Sequence, residues 1–192
     1  PAFNFVYEAN IRYLHHLGEV TYFSPLADTS LPDAGFVYLP GGYPELYLAA
    51  LSANRQMLQS IRRYVESGGK LLAECGGMMY LCDEIRDKNG YVYPMAGVLH
   101  QSATMENMKL RLGYRTLLYN ETRLKGHEFH YSRLVEQQNP LPSCAVAYTA
   151  KGVETDTPLY HYKNVWAGYT HLYWADPVGN EWFTKFVIDG NI

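Results

Sequence analysis

The stretch Leu71-Leu72-Ala73-Glu74-Cys75-Gly76-Gly77 constrains the fold of this chain more than any other. An apolar run of the buried-strand kind ends in a cysteine with small residues two before it (Ala73) and two after it (Gly77). Met78 to Cys82 then reads as a short helix. A backbone that doubles back so sharply from strand to helix tolerates only small neighbours. A strand that is apolar along most of its length and feeds a helix belongs inside a parallel sheet covered on both faces.

The rest of the first 85 residues repeats that theme. Phe36-Val37-Tyr38-Leu39 is a second buried run, stopped by Pro40-Gly41-Gly42. Met57, Leu58, Ile61, Tyr64 and Val65 share one helical face, and Gly68-Gly69 ends it. Ile11, Leu14 and Leu17 predict a helix over 8–17 with Gly18 as its cap. Short strands are expected at Phe3, Phe5 and Val6 and at Val20 to Phe23. The order is that of an α/β fold. From about Tyr91 to Tyr162, stretches such as Lys109 to Leu112 and Phe129 to Val135 predict antiparallel strands, read as a continuation of the same sheet plus excursions. A strand over Val165 to Tyr169, a loop over Asp176 to Asn180 and a helix carrying Trp182, Phe183, Phe186 and Val187 close the chain.

Composition narrows the function classes. With 47% apolar and 18% charged residues among 192, the chain builds a core and is not disordered. The net charge is −3 and the longest basic run is Arg62-Arg63, which argues against nucleic acid. No stretch approaches the ~20 apolar residues of a membrane span. The 18 tyrosines predict half-buried surfaces where a ring packs and a hydroxyl stays wet. Three cysteines, Cys75, Cys82 and Cys144, form no Cys-x-x-Cys pair and fit a reducing cytoplasm.

Cys75 is the candidate nucleophile. The N-terminus of the following helix is expected to lower its thiol pKa, and the Gly76 amide to face an oxyanion. A core cysteine at a strand–helix junction is the competing reading. Of seven histidines, His15 and His16 suit a helix surface. His127 and His130, three apart in a strand, point to opposite faces, so no metal site is expected. His171 follows the late strand. Groups beyond the carboxyl ends of parallel strands converge on one crevice, which brings it towards Cys75; a structural histidine is the alternative. The loop Leu39-Pro40-Gly41-Gly42-Tyr43-Pro44-Glu45 reads either as a second source of oxyanion donors or as a plain turn.

Four motifs in order carry a resemblance. They are Leu39-Pro40-Gly41-Gly42-Tyr43-Pro44-Glu45, Ala73-Glu74-Cys75-Gly76-Gly77-Met78-Met79-Tyr80, Gly126-His127-Glu128-Phe129-His130-Tyr131-Ser132 and Tyr169-Thr170-His171-Leu172-Tyr173-Trp174. Together they resemble the cobyrinic acid a,c-diamide synthase family, and more narrowly its C-terminal class I glutamine amidotransferase domain. The resemblance implies a flavodoxin-like fold, a mainly parallel sheet flanked by helices with an antiparallel extension. It implies that residues 1–192 hydrolyse glutamine and pass ammonia to an N-terminal synthetase domain, which amidates a corrinoid acceptor. It gives Cys75 the nucleophile's role and His171 the base's, with an oxyanion hole from the backbone of Gly41, Gly42 and Gly76.

The wider superfamily places a Glu two residues after the His, where this chain has Tyr173. A backbone carbonyl, a water, Asp176 or a residue of the partner domain is then expected to orient the imidazole. Glu128 is expected to pair with Arg115 or Arg133. No Gly-x-x-x-x-Gly-Lys-Ser/Thr loop occurs, so ATP and Mg²⁺ are expected on the N-terminal domain and no cofactor on this one. A docking module that keeps the fold, or another cysteine hydrolase of the superfamily, are the rival readings.

Overall fold

Strands with no polar face need cover on both sides, and the central sheet is built that way. The computed structural model describes residues 1–189. In it, β1 (Phe36–Leu39), β2 (Lys70–Glu74) and β12 (Val165–Gly168) run parallel, and β11 (Leu159–Tyr162) closes one edge antiparallel. Alternate residues of β2 face opposite layers. Leu71 and Ala73 pack with Met57, Ile61 and Val65 of α3 (Arg55–Glu66), while Leu72 packs with Trp166, Trp182 and Phe183. The second layer holds α1 (Glu8–Leu17) and α5 (Pro177–Thr184); the first holds α2 (Leu48–Ala53) and α4 (Gly76–Leu81).

The antiparallel strands are present, but as sheets of their own and not as a continuation of the central one. One has the order β10 (Glu154–Thr155), β9 (Val146–Thr149), β6 (Arg111–Tyr119), β7 (Thr122–His130), β13 (His171–Leu172). The other runs β4 (Val92–Pro94), β3 (Glu84–Arg86), β5 (Ser102–Thr104), β8 (Arg133–Leu134). Strands β6 and β7 form a long hairpin that turns at Asn120, in the left-handed region at φ 50°. Such local pairing needs no free edge of the central sheet. The chain leaves that sheet after Gly168 and enters the hairpin sheet at His171.

Two expected strands are corrected. Phe5 makes a single bridge to Gly41, its N–H donating to the Gly41 carbonyl at 3.0 Å. Val20 to Phe23 belong to no described strand. Between them and the outer edge of β1 lies a cleft of about 770 Å³, also lined by Pro1 to Asn4. An extended segment becomes a strand only where a neighbour completes its backbone ladder. The expected loop over Asp176 to Asn180 is instead the start of α5, with Pro177 in the first turn and the Asp176 carboxylate accepting from Gly179 N–H at 2.8 Å. No helix among the described residues is long and apolar enough to cross a membrane.

Candidate active site

The elbow forms as the sequence implies. Cys75 sits between β2 and α4 with φ 49° and ψ −108°, outside the regions a side-chain-bearing residue prefers. Such a conformation costs about 1–3 kcal/mol and persists only where its surroundings hold it. They do: Cys75 N–H donates to the Gly168 carbonyl at 2.7 Å, and Met79 N–H donates to the Cys75 carbonyl at 3.0 Å. A side chain at Gly77 would collide with the Leu39 carbonyl, so the small residue two after the cysteine is a steric requirement.

His171 arrives from the other sheet. Strand β13 pairs with β7, placing His171 opposite His127 and Leu172 opposite Gly126. Asn10 of α1, fully buried, clamps the segment: its amide nitrogen donates to the Leu172 carbonyl at 2.7 Å and its oxygen accepts from Trp174 N–H at 2.9 Å. The imidazole packs tilted against the Phe5 ring, centroids 4.4 Å apart, with its Cε1 edge against Gly41, where an added Cβ would collide with Cε1. The Gly42 backbone nitrogen lies 3.2 Å from the position of a Gly76 Cβ. Gly41, Gly42, Gly76 and His171 thus gather around the elbow. The Cys75 thiol itself donates to the Phe129 carbonyl at 3.8 Å, and neither ring nitrogen of His171 makes a hydrogen bond among the described residues.

Burial sets the electrostatics. It pushes the Cys75 thiol up to about 12; the Gly76 N–H opposes this, and the carboxylates of Glu45, Glu74 and Glu128 add to it. The expected lowering by the helix N-terminus is outweighed: the Gly76 N–H of a short helix inside the core offsets only part of the desolvation. Burial, with the charges of His127 and His130, lowers His171 to about 4 against the opposing Glu128. At neutral pH the site holds a thiol and a neutral imidazole, so a thiolate forms only as the ring takes the proton.

Asp176, one of the groups expected to orient His171, is placed elsewhere, as is Tyr173, which stands where the superfamily has its Glu. Tyr173 is 38% exposed, edge-on to Tyr7. Asp176 caps α5 and pairs with Lys125 at 3.3 Å. The carboxylate nearest the ring is one the motifs did not single out. Glu74 Oε2 lies 4.0 Å from His171 Nδ1, and Nδ1 is buried without a partner. Glu74 Oε2 accepts from Tyr38 Oη–H at 2.5 Å and Oε1 from Leu172 N–H at 2.9 Å. Burial pushes Glu74 up to about 8 despite those two donors. The available signal was a carboxylate closing an apolar strand directly before the nucleophile.

His130 also lines the Cys75 pocket, but both of its ring nitrogens are engaged. Its Nδ1 faces the Ser132 carbonyl at 2.8 Å, its Nε2 faces Glu128 Oε1 at 2.6 Å, and its ring stacks on Tyr169 at 3.7 Å. Glu128 pairs with Arg115, whose Nε lies 2.5 Å from Oε2, and not with Arg133. His130 is buried and His127 only half so, on the opposite face as expected, and no metal-holding group occurs among the described residues. The pocket beside Cys75 is about 20 Å³, room for roughly one water, with Tyr43, Glu45 and Tyr131 around it.

A family model described as the CobB/CobQ-like glutamine amidotransferase domain matches residues 1–178. The chain is 39% identical over 178 residues to a hydrogenobyrinate a,c-diamide synthase of Pseudomonas aeruginosa, covering 90% of this chain and 39% of that protein. It is 39% identical over 181 residues to a cobyrinate a,c-diamide synthase of Fusobacterium nucleatum, with 90% and 39% covered. The chain thus spans about two fifths of the length of these curated relatives. A solved glutamine amidotransferase structure overlays with a TM-score of 0.57 at 18% identity, covering 93% of this chain and 92% of that one, a likeness of fold.

Proposed function

Because the chain belongs to the CobB/CobQ-like glutamine amidotransferase domain family, we propose that it releases ammonia from glutamine, with Cys75 as nucleophile and His171 as base. The sulfur attacks the γ-carboxamide carbon while its proton passes to His171. The oxyanion that develops lies against the backbone amides of the Gly41-Gly42 turn and Gly76. Collapse breaks the C–N bond, and the imidazolium proton leaves on ammonia. Water, deprotonated by the same ring, then cleaves the γ-glutamyl thioester to glutamate and frees the thiol. Glu45, half-buried beside the pocket, offers a carboxylate to the α-ammonium of glutamine.

The observation that carries this reading is the strained elbow, φ 49° at Cys75, with the His171 ring, its Nδ1 without a hydrogen-bond partner, packed on the neighbouring Gly41 turn. The relatives' names support the second half of the reaction, amidation of the a and c carboxylates of a corrinoid; that this happens on an ATP- and Mg²⁺-dependent part of a longer cytoplasmic protein is what the family resemblance implies. Identity is 39% to both a hydrogenobyrinate and a cobyrinate enzyme, so these residues do not choose between the two acceptors.

The test is labelling and kinetics on the protein at its native length. A glutamine-mimicking chloroketone should alkylate Cys75 and spare Cys82 and Cys144. His171→Ala should lower glutamine hydrolysis by about 10²–10⁴-fold or more. Label on Cys82 with Cys75 free, or unchanged turnover in His171→Ala, refutes the reading. A docking module would show neither labelling nor hydrolysis.

A further inference from the structure

We propose that Glu74 is the positioning residue of this site: its carboxylate accepts a hydrogen bond from His171 Nδ1–H and so leaves Nε2 free to take the proton of Cys75. The inference rests on the reading of Cys75 and His171 given above and adds the residue that fixes the ring.

Geometry carries it first. Glu74 Oε2 and His171 Nδ1 are 4.0 Å apart, both side chains at most 3% exposed. A hydrogen bond requires roughly 1 Å of closure, within the adjustment that catalytic contacts undergo when substrate binds. The unpartnered Nδ1 is the second observation. A buried ring nitrogen left without a partner is costly, and Glu74 is the carboxylate beside it. Third, both existing contacts of the carboxylate are accepted ones, from Tyr38 Oη–H and Leu172 N–H. The group is already held as an acceptor, and Nδ1–H is a third donor of the same kind.

Topology explains why a residue next to the nucleophile can do this. Side chains alternate along β2, so Glu74 leaves its strand on the side of Leu72, towards β13. The Leu172 amide that Glu74 holds belongs to the residue after His171, so one carboxylate fixes both the backbone and the ring of the base. Protons balance as well. Burial pushes Glu74 up and His171 down, and closure onto Nδ1–H, a third donor, favours the ionised carboxylate; the neutral ring then carries its one proton on Nδ1, and Nε2 is vacant. When the ring accepts the Cys75 proton, it becomes a cation facing an anion, and each offsets the other's burial cost. The other titratable groups within electrostatic reach are Tyr7, Tyr38, Cys75, His127, His130 and Glu128.

Glu74→Gln at native length is the decisive variant, because an amide keeps an acceptor for Leu172 N–H while removing the charge and the Oε2 acceptor that Tyr38 Oη–H and Nδ1–H would share. Glutamine hydrolysis should fall about 10²–10⁴-fold in kcat with KM little changed, and the pH midpoint for chloroketone alkylation of Cys75 should rise. If Glu74 only pins strands together, kcat and that midpoint stay at wild-type values, and the proposal is overturned. His171→Ala in the same assays separates the failures: loss of activity there with a wild-type-like Glu74→Gln sinks this inference alone, whereas retained activity sinks the underlying reading. Nitrogen-detected NMR of His171 in the unaltered protein needs no variant to fold. A neutral ring protonated on Nδ1, its proton shifted downfield, is expected; a bare Nδ1 refutes the assignment.

Discussion

Two carboxylates, Glu74 and Glu128, are each 1% exposed, yet they sit in regions of opposite character. Glu74 closes β2 of the parallel sheet and meets only neutral donors, Tyr38 and Leu172, besides the uncharged His171. Glu128 lies on β7 of the hairpin sheet, where Arg115, His130 and Thr157 all reach it. Burial pushes both up. For Glu74 nothing charged opposes it, and it rises to about 8; for Glu128 the His130 hydrogen bond and the charges of His130 and Arg115 outweigh burial and bring it below the ordinary value. Depth alone does not say what a buried acid does. A saturated one holds strands together; one left short of a cation is poised to receive it.

The largest test of that contrast is to remove Glu128. Glu128→Ala leaves Arg115 and His130 buried without their anion and should destabilise the fold by about 3–5 kcal/mol. Glu74→Gln, which keeps an acceptor for Leu172, should cost about 1 kcal/mol. Urea unfolding at pH 7 compares them, and equal losses would erase the distinction.

The pH dependence of stability should separate the two next. Glu74 has a folded pKa above its unfolded 4.5, so the native state binds the extra proton and stability falls as pH rises from 4.5 to about 8. His171, lowered to about 4 from 6.5, opposes that trend below pH 6.5. Between pH 6.5 and 8 the Glu74 effect stands alone, and the wild type should lose up to about 1.4 kcal/mol per pH unit relative to Glu74→Gln. Glu128 acts at the other end: its folded pKa is depressed, so its stabilisation is present above pH 4.5 and fades as pH falls further. Parallel profiles for wild type and Glu74→Gln above pH 6.5 would break the comparison.

The smallest effect is at Tyr38. Tyr38→Phe takes away the hydroxyl donor to Glu74 and should cost about 0.5–1.5 kcal/mol in urea unfolding. It should also raise the pH at which Glu74 ionises, moving the stability fall of the preceding test to higher pH. A variant whose profile superimposes on the wild type shows that Tyr38 does not tune this carboxylate.

What was legible in the sequence was what neighbours along the chain decide. The elbow at Cys75, the need for a small residue at Gly77 and the face shared by Met57, Ile61 and Val65 follow from sterics and periodicity within one or two turns. The four motifs added Cys75, His171, Gly41, Gly42 and Gly76, and the fold gathers the last four around the elbow at Cys75. Val20 to Phe23 reads as a strand yet is none, because strandedness belongs to a pair of segments and no described neighbour completes its ladder. His171 was expected beyond the central sheet; that it pairs with His127 of β7, 44 residues earlier, and that its segment is clamped by Asn10, 162 residues before Leu172, depends on contacts between distant parts of the chain. Glu74 was invisible for the same reason. Its spacing from Cys75 says nothing of His171, which lies 97 residues later in the chain. Only when β2 and β12 pair in parallel does the end of one strand come level with the start of the turn leaving the other. Local sterics fix the conformation of a residue, but which charges it faces is set by how distant segments pack.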